Sequence, residues 1–116
     1  MMIPKIKPWR SEKHRRNVAG LHCVNCGVQG RTQAAHANFN KGLATKACDS
    51  QLMALCVDCH RLHDSGGLFQ NKQQRWAKEV ELVDLTRAEL ISRSLWTSDI
   101  EQVYRLAYEP MKRAAA

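Results

Sequence analysis

The chain has 116 residues, enough for one small domain and no second full core. Its hydrophobic fraction of 44% and charged fraction of 25% are those of a globular protein, and no stretch approaches the roughly 18 apolar residues of a membrane span. The formal charge of +7 favours a polyanionic partner, because each Lys or Arg set on a phosphate releases a counterion.

Much of this charge lies at the start. Lys5, Lys7, Arg10, Lys13, Arg15 and Arg16 face only Glu12 within residues 1–22. This basic segment has no apolar h-region, so no secretory signal is expected and the cytoplasm is the expected compartment. There thiols stay reduced, and paired cysteines serve as metal ligands more often than as disulfides.

In chain order, Pro4 and Pro8 make residues 1–10 an extended arm. Ser11 caps a short predicted helix that runs to about Ala19 and stops at Gly20. With the arm it forms a basic segment, residues 1–20. In it Lys13, Arg15 and Arg16 are candidate phosphate contacts, and His14 is expected at solvent or phosphate. A turn-rich stretch with Gly27 and Gly30 follows, then a short strand over Thr32 to Ala37 and a loop over Asn38 to Lys46. Gln51 to Leu55 is a compact apolar run. Val57 to Asp64 is a predicted helix stopped by Gly66-Gly67. Residues 21–68 are thus the expected core.

Residues 69–116 form a helical extension packed on that core. Trp76, Val80 and Val83 mark a helix from Asn71 to about Val83. Thr86-x-x-Glu89 and Ser98-x-x-Glu101 are capping-box patterns for two further helices, the first ending near Ser94 and the second at Pro110.

The strongest motif is a doubled cysteine pair: Cys23-x-x-Cys26, 29 residues, then Cys56-x-x-Cys59. A two-residue gap lets both sulfurs of a pair turn onto one ion at about 2.3 Å, and two pairs close a tetrahedron. A structural zinc is the expected occupant. Binding would contribute on the order of 10 kcal/mol to folding. A redox dithiol is the alternative for such pairs, and His22 is an alternative ligand beside Cys23. Cys48 reads as a small buried hydrophobe.

His60 follows the last cysteine, and Asp64 lies one helical turn later on the same face, with His63 near it. An imidazole and a carboxylate so placed can share a divalent cation. His36, in the stretch between the pairs, is a candidate general base for water attacking a phosphodiester.

Cys23-x-x-Cys26, Ala35-His36 and Leu55-Cys56-Val57-Asp58-Cys59-His60 together resemble the HNH, or ββα-metal, nuclease superfamily. The likeness is nearest to small phage and prophage nucleases of the recombination-enhancement-function type. It covers about Leu21 to Ser65, and the Trp76-Ala77-Lys78-Glu79 stretch extends it to about Thr97. The resemblance implies an α+β fold: a hairpin and a helix around a catalytic divalent metal (Mg2+, Mn2+ or another), with zinc bracing the base. It assigns His36 as general base and His60 and Asp64 as metal ligands. It implies a DNA endonuclease, with recombination proteins as candidate partners. Ala35 stands where the superfamily often has a further ligand. Gln51 stands where it usually has Asn, with Asn38 and Asn40 as other candidates for that role. A non-catalytic, zinc-braced DNA-binding or assembly module is the competing expectation.

Overall fold

Leu52-Met53-Ala54-Leu55-Cys56 is an unbroken apolar run, the pattern of a strand covered on both faces. In the computed structural model, which describes residues 9–37, 48–65 and 67–109, this run is strand β2 (Leu52–Cys56), and all five of its residues are buried. It pairs antiparallel with β1 (Thr32–His36), from His36 opposite Leu52 to Thr32 opposite Cys56. Hydrogen bonds from Ala37 N to the Gln51 carbonyl and from Val57 N to the Arg31 carbonyl extend the ladder at both ends. A single 3-10 turn, Asp49–Gln51, leads into β2. The predicted loop over Asn38 to Lys46 lies outside the described residues, as do Asn38 and Asn40 themselves.

Among the described residues four α-helices surround the hairpin: α1 (Glu12–Ala19), α2 (Val57–Ser65), α3 (Lys72–Ser92) and α4 (Ser98–Val103). Ser11 caps α1 as its sequence predicts, its hydroxyl accepting from His14 N, and Gly20 follows the last turn. Alternation along the strands divides the core in two. Leu52 and Ala54 pack with Val18, Leu21 and Leu90 on one side. Ala35, Met53 and Leu55 pack with Leu82, Val83 and Tyr104 on the other.

The free edge of β2 is closed by two groups. Ala54 N donates to Thr86 Oγ1 at 3.0 Å, and the Ala54 carbonyl accepts from Val24 N at 2.9 Å. Unpaired strand-edge groups would otherwise invite another chain. This use of Thr86 overturns one expectation. Thr86 does not cap a new helix but lies inside α3, which runs unbroken for 21 residues. No Gly or Pro interrupts Lys72 to Ser92. The Thr86 hydroxyl donates to the Leu82 carbonyl, one turn back, while it receives the β2 amide. The next cap falls one residue before the predicted Ser98, at Thr97, whose Oγ1 accepts from Ile100 N. Beyond α4 the helix widens to π-type bonding over Tyr104–Tyr108. Arg87 locks this corner, bonded to both Glu101 oxygens and lying over the Tyr104 ring at 4.7 Å.

Thr86→Val keeps the side-chain shape but leaves a buried strand amide without an acceptor. Chemical denaturation should show a loss of about 1–3 kcal/mol. An unchanged midpoint would contradict this role for the hydroxyl.

Candidate metal centre and histidine cleft

The first cysteine pair sits in a knuckle directly after α1. Cys23 N bonds the Val28 carbonyl and Gly27 N the Cys23 carbonyl, with Gly27 at φ +85°, where a side chain would be strained. The second pair spans the junction of strand and helix: Cys56 ends β2, and Cys59 lies in the first turn of α2. The register therefore delivers both pairs to one end of the hairpin. The four ligand sulfurs lie within 4.8 Å of one another. A tetrahedral site with sulfurs at about 2.3 Å has edges of about 3.8 Å, and Cys26 Sγ lies 3.7 Å from Cys56 Sγ. Backbone amides of Cys26 and Cys59 each point at the first sulfur of their own pair, both at 3.4 Å. Asn25 Nδ2 donates across to Cys59 Sγ at 3.3 Å.

Charge makes the same case. Burial raises the Cys23 thiol, but amide donors from Cys56, Cys26 and Asn25 outweigh it and bring the group down to about 6. Burial and the neighbouring thiols push Cys59 up to about 12, despite the Asn25 donor. Four sulfurs this close cannot all be anions without a cation among them. The cluster could hold a metal such as zinc, and the donor set fits one. His22 is not part of it, and Cys48 is buried with its thiol 3.2 Å from Ser50 Oγ, as a small core residue.

His60 and Asp64 come together as their spacing predicts. His60 Nε2 lies 3.2 Å from Asp64 Oδ2, and His60 Nδ1 lies 2.8 Å from Gln33 Oε1. They border an open cleft of about 300 Å³ with Gln33, Val57 and Arg61. If the amide carbonyl takes the Nδ1 proton, the Nε2 lone pair faces the Asp64 carboxylate, an arrangement suited to a shared cation.

His36 does not join them. It lies three residues along β1 from Gln33, so the two side chains leave opposite faces of the strand. Its Nε2 bonds Asp49 Oδ1 at 2.8 Å. Among the described residues the four cysteines are the one converging group of three or more potential ligands. The structure does not bring His36 together with His60 and Asp64. Ala35 is buried opposite Met53 and offers no ligand. Gln51 is buried too, with its backbone carbonyl holding Ala37 N.

Three further histidine and arginine expectations change. His63 does not face the cleft: it is buried, with Nε2 2.7 Å from Glu79 Oε2 and its ring edge-on to Phe69. His14 is buried between Trp9 and Trp96 rather than exposed to phosphate, because it falls on the inner face of α1. Arg15, expected on phosphate, is bonded to Asp49. Lys13 is exposed, and Arg16 is exposed in a surface pair with Glu12.

Asp49 is the residue that sequence reasoning missed. Its carboxylate is fully buried and accepts from Ser11 N, Arg15 and His36, with Arg10 4.0 Å away. Its own amide donates to the Trp9 carbonyl. One signal was available, a lone acid between Cys48 and the apolar run that offers a counter-charge to the basic segment. Burial raises its pKa, but the Ser11 amide, His36 and Arg15 outweigh that and hold it below the usual carboxylate value.

In comparisons with known proteins, no family model, curated protein or solved structure matched the chain. No helix among the described residues is long and apolar enough to cross a membrane.

Asp49→Asn keeps the shape and removes the charge. It should cost about 3 kcal/mol at neutral pH, the low end for a buried carboxylate, because Arg15 is part-exposed. The depressed pKa sets the sign of the pH effect. The contribution is complete above the unfolded value of about 3.9 and is lost as pH falls through the lower folded value. Denaturation curves of the two proteins should differ at pH 7 and converge in strong acid. A constant difference would contradict this.

Proposed function

We propose that the chain is a metal-dependent DNA endonuclease of the HNH type, with a structural zinc on Cys23, Cys26, Cys56 and Cys59. The observation that carries this reading is the pair formed by His36 and the buried Asp49 carboxylate. A carboxylate on one ring nitrogen fixes the tautomer and orientation, and leaves Nδ1 to take a proton from water. The His36 side chain is 27% exposed, so solvent and substrate can reach it. The hydroxide so formed attacks phosphorus, and the phosphodiester bond to the leaving oxygen breaks. A divalent ion on His60 and Asp64 would supply charge neutralisation at the phosphate and the leaving oxygen. The net charge of +7 and the exposed Lys13 and Arg16 support attraction of DNA. Catalytic contacts often close only around the substrate. His36 and the His60–Asp64 pair lie on opposite faces of β1, so in this reading the hairpin must rearrange on DNA before both reach one phosphate.

The separation of His36 from His60 and Asp64, together with the buried Ala35, favours a second reading: a zinc-braced DNA-binding or assembly module without catalysis. Plasmid nicking with Mg2+ or Mn2+ separates the two. The nuclease reading expects nicking that falls about 100-fold or more in His36→Ala, with DNA affinity retained. Salt-sensitive binding without nicking would favour the module, and equal nicking by the variant would refute His36 as the base.

A further inference from the structure

A second cleft, of about 310 Å³, opens between the start of α1 and the turn joining α3 to α4. Trp9, Lys13, His14, Asn17 and Asp99 border it. His14 is only 2% exposed, and its Nδ1 has no hydrogen-bond partner among the described residues. A buried ring nitrogen without a partner is costly and uncommon. Burial lowers the His14 pKa, against the pull of Asp49, so the ring favours its neutral form. Two aromatic rings flank it: Trp9 at 5.3 Å and Trp96 at 5.8 Å between ring centroids. Asn17 and Asp99 are not engaged in any described side-chain hydrogen bond or ion pair.

We propose that this cleft binds one unpaired nucleobase of DNA. Trp9 supplies a partly exposed indole for stacking. Asn17 offers both a donor and an acceptor, the pattern that matches a base edge. Asp99 can only accept when ionised, which favours a base with an exocyclic amino group over thymine. Lys13, an exposed residue of the lining, suits the attached phosphate. The cleft is also next to the histidine pair. Ser11 borders it and donates its amide to Asp49, the residue that holds His36. This proposal rests on the reading of the chain as a DNA-acting protein and narrows its substrate to DNA with unpaired nucleotides, as in a single strand or a junction.

The test uses the whole chain and labelled decamers of deoxycytidine, thymidine and abasic nucleotides, whose backbones carry the same charge. Fluorescence anisotropy at fixed salt should show deoxycytidine binding about 10-fold or more tightly than the abasic strand, the scale of one stacked base, with thymidine weaker than deoxycytidine. Asn17→Leu and Asp99→Leu, both at part-exposed or exposed positions, should each bring deoxycytidine close to the thymidine level without changing the salt dependence. Deoxycytidine and abasic strands of equal affinity, or variants with unchanged preference, would overturn the proposal. His36→Ala should keep the preference. A chain that shows the preference but never nicks plasmid keeps this cleft and loses the nuclease reading. Nicking without the preference does the reverse.

Discussion

Four sulfurs drawn from two stretches of chain, 29 residues apart, meet at one end of a two-stranded hairpin. Such a hairpin is marginal on its own in water. Here its strands are joined to the knuckle after α1 through Cys23 and Cys26, and to α2 through Cys56 and Cys59. A cation in the cluster would turn four mutually repelling thiolates into a cross-link that fixes the α1–β1 connection, the β2–α2 junction and the register between them. The direction in which α2 leaves β2 then sets where His60 and Asp64 lie.

A second brace works at the opposite end. Asp49, at the entry to β2, holds the first residues of α1 through Ser11 and Arg15, and holds His36 at the end of β1. The same carboxylate therefore orients a histidine and anchors the basic segment. Because Arg15 is committed to it, the positive charge near His36 is partly spent inside the fold, and Lys13 and Arg16 remain on the surface. Thr86 does comparable work at the edge of β2, where one hydroxyl ties α3 to the strand. The fold is thus held by a few directed polar contacts around a core of small and medium side chains such as Ala35, Ala54 and Leu55.

Local signals made part of this legible in the sequence. The C-x2-C pairs, the Ser11 cap and the one-turn spacing of His60 and Asp64 depend on residues close in the chain, and the structure has each in its expected place. The α+β character with a two-stranded hairpin was an expectation carried by the resemblance of the cysteine and histidine motifs, and the structure has that sheet, whereas Gln51 to Leu55 read by itself only as an apolar run. What could not be read depended on distant partners. Thr86 looks like a cap because its acceptor role for Ala54 N is set by packing across 32 residues. His14, His63 and Asp49 are buried by tertiary contacts, and no residue-type pattern distinguishes them from exposed groups. The face taken by His36 follows from strand alternation once the register is known. The sequence alone does not fix that register.

X-ray absorption spectroscopy at the zinc edge, on the protein purified without added metal, tests the central cross-link most directly. The expected result is one zinc per chain with four sulfur neighbours at about 2.3 Å. A spectrum dominated by nitrogen or oxygen neighbours, or a folded chain without zinc, would contradict it.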